Sequence, residues 1–358
     1  MNGIINIARR QASSSGGATP VNLDFVFEVD TTKVGSASDT VVLPLLSGGT
    51  YSGTIDWGDA STSVLSYANR SHTYSTGGVY TITIVGDTIA GFQFNNGGDK
   101  AKLLDVTNWG NLDITTNRAF YGCSNFDFTA TDAPTISTTD MSYSFAGNIS
   151  LTDPDFSSWD MSLVHSTYFM FQGDSLFNTH SMENWDTPNF SDMGFMFYLA
   201  VVFNGRLTNW STPNNTSLRA TWKQAYRFNQ PIAQLGAGNV TTLQEGLSNA
   251  TDFNQPLPSL SNITILFKAL ENSDAFDQDM GDYDIDQVSN FNSFMSSATG
   301  LSTANYDATL IGWDAQGSMA FSGTVNFGGS KYTSGGAAEA ARTSLISKWG
   351  GIIDGGPA

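Results

Sequence analysis

The densest set of potential ligands is the run DAFDQDMGDYDID, which spaces Asp274, Asp277, Asp279, Asp282, Asp284 and Asp286 around Gly281. Closely spaced carboxylates suit a hard cation, because Ca2+ gathers about six to eight oxygen ligands. Asp277, Asp279, Asp282 and Asp284 are therefore the candidate calcium ligands, and Ca2+ is the cofactor to consider. No Glu closes the run at the twelfth position, as an EF-hand loop requires, so a solvated acidic turn is the competing reading. A second set, Asp56, Asp59 and His72, has the groups for acid–base or metal chemistry, but no third ligand or nucleophile stands at motif spacing. His165 and His180 have no carboxylate partner that spacing identifies. Cys123 is the single cysteine, which excludes an internal disulfide; in YGCSNF it reads as a small buried apolar residue. There is no GxSxG, HExxH or phosphate-binding glycine loop, so the expectation is a protein that is not an enzyme.

The elements that would position these residues are set by a tandem repeat. FQGDSLFNTHSMENWD, FYLAVVFNGRLTNWS, WKQAYRFNQPIAQLG and LSNATDFNQPLPSLS share one pattern: an aromatic or Leu, Phe six residues on, then Asn, then Trp or Leu. The second Phe falls at 177, 203, 228, 253 and 276, in steps of 26, 25, 25 and 23 residues. Phe120, Phe145, Phe171 and Phe197 carry the phase backwards, giving about eight units within residues 99–316. A fixed period of 20 to 50 residues marks units that bury an apolar face only against a neighbour. The Asn after each Phe, at 178, 204, 229 and 254, is expected to bond backbone groups at a corner. Met193, Met196 and Phe197 read as a buried face.

Ahead of the repeats, residues 21–98 change to short alternating runs. In LDFVFEVD, Leu23, Phe25, Phe27 and Val29 fall on one face; VVLPLL, YSGTIDW, VYTITIV and GFQF follow between turn-forming clusters. This predicts an antiparallel β-sandwich. Behind the repeats, residues 317–358 predict a cap: FSGTVNFGGSKY as a strand pair, then a helix from Gly336 to Trp349 that stops at Gly350 and Gly351.

Two segments resemble known families. IDWGDAS at 55–61, HTY at 72–74 and GVYTITI at 78–84 resemble the PKD-like, immunoglobulin-type domain. That resemblance implies that Asp56, Trp57, Asp59, His72 and Tyr74 brace a strand–turn–strand corner, with Trp57 and Tyr80 in the core. Ala60 departs from it, standing where the family usually has Gly. The repeats, most clearly FNTHSMENWDTPNFSDMGFMF at 177–197, resemble the bacterial surface-protein repeat DUF285, related to BspA-like leucine-rich repeats. This implies a leucine-rich-repeat-like solenoid with a short strand and a helical or looped return in each unit, found on bacterial surface and some phage proteins and associated with adhesion. The expected fold is thus multidomain: an all-β PKD-like sandwich, a solenoid and a C-terminal cap.

Composition narrows the partners. Fifteen Lys and Arg against 33 Asp and Glu leave a net charge of −18, which opposes nucleic-acid binding and polybasic membrane contact. No stretch approaches the length of a membrane span. MNGIINIARRQASSSGGATP lacks the apolar core of an export signal. The expectation is therefore a bacteriophage virion surface protein, a spike, fibre or decoration, reaching the exterior by lysis. Residues 1–20 would form an arm docked to other virion proteins, and the repeats would meet a host-surface glycan or protein. A homo-oligomer is expected; a bacterial cell-surface adhesin is the alternative, and a carbohydrate-active enzyme is a third, less favoured reading.

Overall fold

The computed structural model describes residues 23–235, 239–316 and 320–358; the arm expected at 1–20 lies outside them. Six strands come first: β1 (Phe25–Asp30), β2 (Thr40–Val42), β3 (Leu45–Asp56), β4 (Thr62–Val64), β5 (Ser71–Thr73) and β6 (Val79–Phe92). Alternation decides their faces. Phe25, Phe27 and Val29 of β1 are buried, as the period of two requires, whereas Leu23, just before the strand, is 46% exposed. β1, β6, β3 and β4 pair antiparallel, and β2 pairs separately with β5. VYTITIV and GFQF, read as two runs, are one 14-residue strand, β6.

The sheet does not end with β6. β7 (Leu103–Asn108) pairs antiparallel with β1, and β8 (Leu112–Ile114) pairs parallel with the second half of β6. β9 (Asp127–Phe128) and β10 (Thr135–Ile136) then pair parallel with β7 and β8, completing an eight-stranded sheet. Asp105 faces Asp127 and Ile114 faces Ile136, so the chain enters its repeat at the edge of the N-terminal sheet, whose pairing crosses residue 98. Asp99 and Lys102, both buried, fasten this junction. Lys102 Nζ donates to the carbonyls of Ser36, Ala37 and Thr40 and to Ser36 Oγ, while Asp99 accepts from the amides of Ser36 and Val42.

The expected solenoid is not what forms. Between residues 137 and 302 the described chain has no β-strand and no α-helix, only turns, isolated parallel bridges and one 3-10 turn at Ser181–Asn184. The physical reason is a pair of left-handed residues four apart in every unit, which neither an extended strand nor a helix tolerates. The first position is Arg118, Tyr143, Phe169, Phe195, Ala220, Glu245, Lys268 and Ser293; the second is Gly122, Gly147, Gly173, Leu199, Gln224, Asn249, Asn272 and Ser297. With this alternation the amides of Thr167, Phe169, Phe171 and Gly173 donate to the carbonyls of Asp192, Gly194, Met196 and Tyr198 in the next turn. The amides of Met170 and Gln172 instead fold back onto Thr167 O and Phe169 O. Most backbone amides of the turn thereby find a carbonyl partner without regular secondary structure.

Side chains between the stacked turns do repeat as the spacing predicts. Phe177, Phe203, Phe228, Phe253 and Phe276 form one column at centroid separations of 5.6–6.1 Å, and Trp185 stacks on Trp210 at 5.8 Å. Each fully buried ring contributes about 1.5–3 kcal/mol. Met193, Met196, Phe197 and Cys123 are all buried, and burial pushes the Cys123 thiol well up.

The C-terminal end differs from expectation in two places. α1 (Thr303–Asp314) is a helix inside the span read as repeat, started by Ser302, whose hydroxyl accepts the Asn305 amide. β11 (Gly323–Asn326) does not fold into a strand pair with its own neighbours; it pairs parallel with β12 (Gly350–Ile353). α2 (Ala337–Trp349) lies where the sequence placed it, and ends at left-handed Gly350, φ 117°. Asp354 ties these elements together, accepting from Arg342 Nε and Tyr306 OH, each at 2.7 Å.

Candidate functional site

The corner between β3 and β4 is built by two carboxylates. Asp56 Oδ1 accepts the Gly58 amide at 3.0 Å, and Asp59 Oδ1 accepts the Ser61 amide and hydroxyl. His72, on β5, lies flat on Trp57 with ring centroids 4.9 Å apart and puts Nε2 2.9 Å from Asp59 Oδ2. Tyr74 donates its hydroxyl to Trp57 O and stacks on Tyr80. The hydroxyl of Ser61, and next the His72 ring, hold Asp59 down to about 2. Ser61, His72 and Asp59 thus sit together, but both oxygens meet the same ring nitrogen, Ser61 Oγ at 3.4 Å. A serine relay needs the two nitrogens on different partners, so the cluster braces the corner without arming Ser61.

The acidic run does not converge. Asp277 Oδ1 accepts the Ser302 amide and Asn305 Nδ2, Asp279 Oδ1 accepts the Gly281 amide, and Asp284 Oδ1 accepts the Asp286 amide. Asp279, Asp282 and Asp284 are exposed. Among the described residues no group of three or more His, Cys, Asp or Glu side chains is placed to hold a metal ion. His165 and His180 are also exposed, and His180 Nδ1 accepts the Arg206 amide.

What the sequence reading missed is a line of part-exposed aromatic rings on the outside of the stacked turns. Tyr143, Phe169 and Phe195, each at the first left-handed position of its unit, stack at 4.9 and 4.5 Å with interplanar angles of 12°. Tyr121, Tyr168 and Tyr198 flank them. Arg118 lies over Tyr143 at one end, and Arg219 over Phe195 at the other. The available signal was an aromatic two residues before each inner Phe, in Tyr143–Phe145, Phe169–Phe171 and Phe195–Phe197. A separate open cleft of about 350 Å³ lies at the junction, with Leu46 and Phe94 in its lining and Arg70 stacked on Tyr67 at 3.8 Å.

These features define a tandem-repeat protein whose repeats are stacked turns with a columnar aromatic core. The chain belongs to the family described as Mycoplasma protein of unknown function, DUF285, whose model matches residues 92–182, 173–262 and 257–324. No curated protein and no solved structure matches it.

Proposed function

We propose that this chain is a non-enzymatic attachment protein, displayed on a bacteriophage particle as a spike, fibre or decoration, that meets a host surface through its stacked turns. The observation that carries this reading is the outward aromatic line from Tyr121 to Tyr198, held on a backbone whose turns are cross-bonded from unit to unit. Rigid aromatics offer large contact area at low entropic cost, as binding surfaces require. The Asp56–Asp59 corner closed by His72 and Tyr74 supports reading residues 21–98 as a PKD-like spacer. Attachment to other virion proteins is assigned to residues 1–20, and several copies per particle would multiply weak contacts.

The test is binding of the purified chain to bacterial cells, with antibody labelling of lysates. Labelled particles and competition between free chain and particles for cells are the expected results. Label on the cell envelope alone would make the protein a bacterial adhesin. Release of reducing ends from host polysaccharide would make it an enzyme.

A further inference from the structure

We infer that the ligand of the aromatic line is a linear polysaccharide carrying carboxylates on a minority of its sugars; this rests on the attachment reading above. The backbone supplies the first argument. All eight units hold their first position at φ between 51° and 59°, a conformation Gly adopts without steric penalty and an L side chain does not. Ala220, Glu245, Lys268 and Ser293 show that the fold forms there without an aromatic ring. The chain also uses Gly where nothing else is asked: Gly147 and Gly173 fill the second left-handed position in two of the three aromatic units. Tyr143, Phe169 and Phe195 are therefore large rings placed part-exposed at positions that the fold fills in its other units without one.

Charge supplies the second argument. Neither Arg118 nor Arg219 forms an ion pair among the described residues. Asp140, whose charge acts on Arg118, is already engaged by Asn117 Nδ2 and the Ser142 amide. The two guanidinium groups stand four hydrogen-bonded turns apart, about 19 Å at a spacing of about 4.8 Å. Because the rings cover one another's faces, the sugars between the two arginines would lie across the outward edges of Tyr143, Phe169 and Phe195, with acidic groups needed only at the ends. A ligand charged at every residue, such as single-stranded nucleic acid, would face the net −18 of the chain.

The experiment passes the full chain over immobilised bacterial capsular polysaccharides, neutral and uronic-acid-bearing, with oligo-dT as the polyanion control. Retention by a uronic-acid-bearing polymer is expected, weakened at least tenfold by Phe169→Asn with the melting temperature held within a few degrees. Arg219→Gln is expected to weaken that binding severalfold and to leave any neutral polymer unaffected. Unchanged binding by Phe169→Asn overturns the inference, as does preference for oligo-dT. If Phe169→Asn lowers both binding and melting temperature, the exposed Arg219→Gln decides, and unchanged binding there overturns it. Cells that bind the chain while no polysaccharide does would overturn the sugar and leave attachment standing; loss of both would remove both.

Discussion

The side-chain carbonyl of Asn204 accepts the backbone amide of Asn229 at 2.9 Å, and Asn229 does the same for Asn254. The series starts at Asn178, which receives the Asn204 amide, and ends with Asn254 receiving the Asp277 amide. The Asn after each Phe is thus the corner residue the repeat called for, bonding between units where a local turn bond was equally conceivable. Asn204 and Asn229 each also accept from a Gln, Gln230 and Gln255. Asn229→Ala leaves a part-buried amide unpaired and should cost about 1–2 kcal/mol in urea unfolding.

Asp277 extends the same chain of bonds in place of Asn, through the oxygen that receives the Ser302 amide. Asp277→Asn keeps a carbonyl there but loses the charge that the Ser302 and Asn305 donors favour, and should cost about 1 kcal/mol with or without EGTA. A ligand of calcium would behave otherwise: EGTA would lower the wild-type melting temperature while leaving the variant unchanged.

Acid should weaken the corner at Asp59. Its folded value, about 2, lies below its ordinary 3.8, so its contribution is complete above the ordinary value and is lost as pH falls toward 2. Asp59→Asn should flatten unfolding free energy against pH over that window. An unchanged acid slope would show that Ser61 and His72 do not hold the charge.

Asp174 should act in the opposite sense. It is buried, with Asn148 N bonded to Oδ1, and burial pushes its carboxyl well above the usual range. The folded state therefore holds a proton the unfolded chain releases, and stability declines as pH rises from the ordinary carboxylate range through the folded value. Asp174→Asn should remove that decline in pH-dependent urea unfolding. A steeper decline would contradict the assignment.

Ala60 stands at φ 69° in the β3–β4 corner, where the PKD-like resemblance expects Gly. Ala60→Gly should stabilise by about 1 kcal/mol, since a left-handed L-residue costs about 1–2 kcal/mol and Gly returns part of that in unfolded-state entropy. Lys102→Met should destabilise by about 3–5 kcal/mol, because it strips the carbonyls of Ser36, Ala37 and Thr40 of a buried donor. Both are read by thermal melts.

The legible part of this molecule lay in long-range periodicity and in burial. Phe177 through Phe276, the Asn corner and the end of α2 at Gly350 follow from residue type and spacing alone, because one unit's apolar face can be covered only by the next. The secondary structure of the unit was not legible. Phe169 and Phe195 favour extended or helical backbone locally, and only the demand that alternate amides reach the next turn drives them left-handed. That same demand turns their rings outward, so the aromatic line was hidden behind a pattern that reads as core.

The sequence by itself determined a tandem repeat of about 25 residues after a β-rich start and a last helix that stops at Gly350, because period, alternation and helix punctuation are local properties of the string. Only the tertiary structure decided that the stack is cross-bonded turns, that its first strands join the N-terminal sheet, and that Lys102 and Asp99 lock the junction. Pairing partners 22 to 82 residues away settle those points, and nothing in a local window can weigh them.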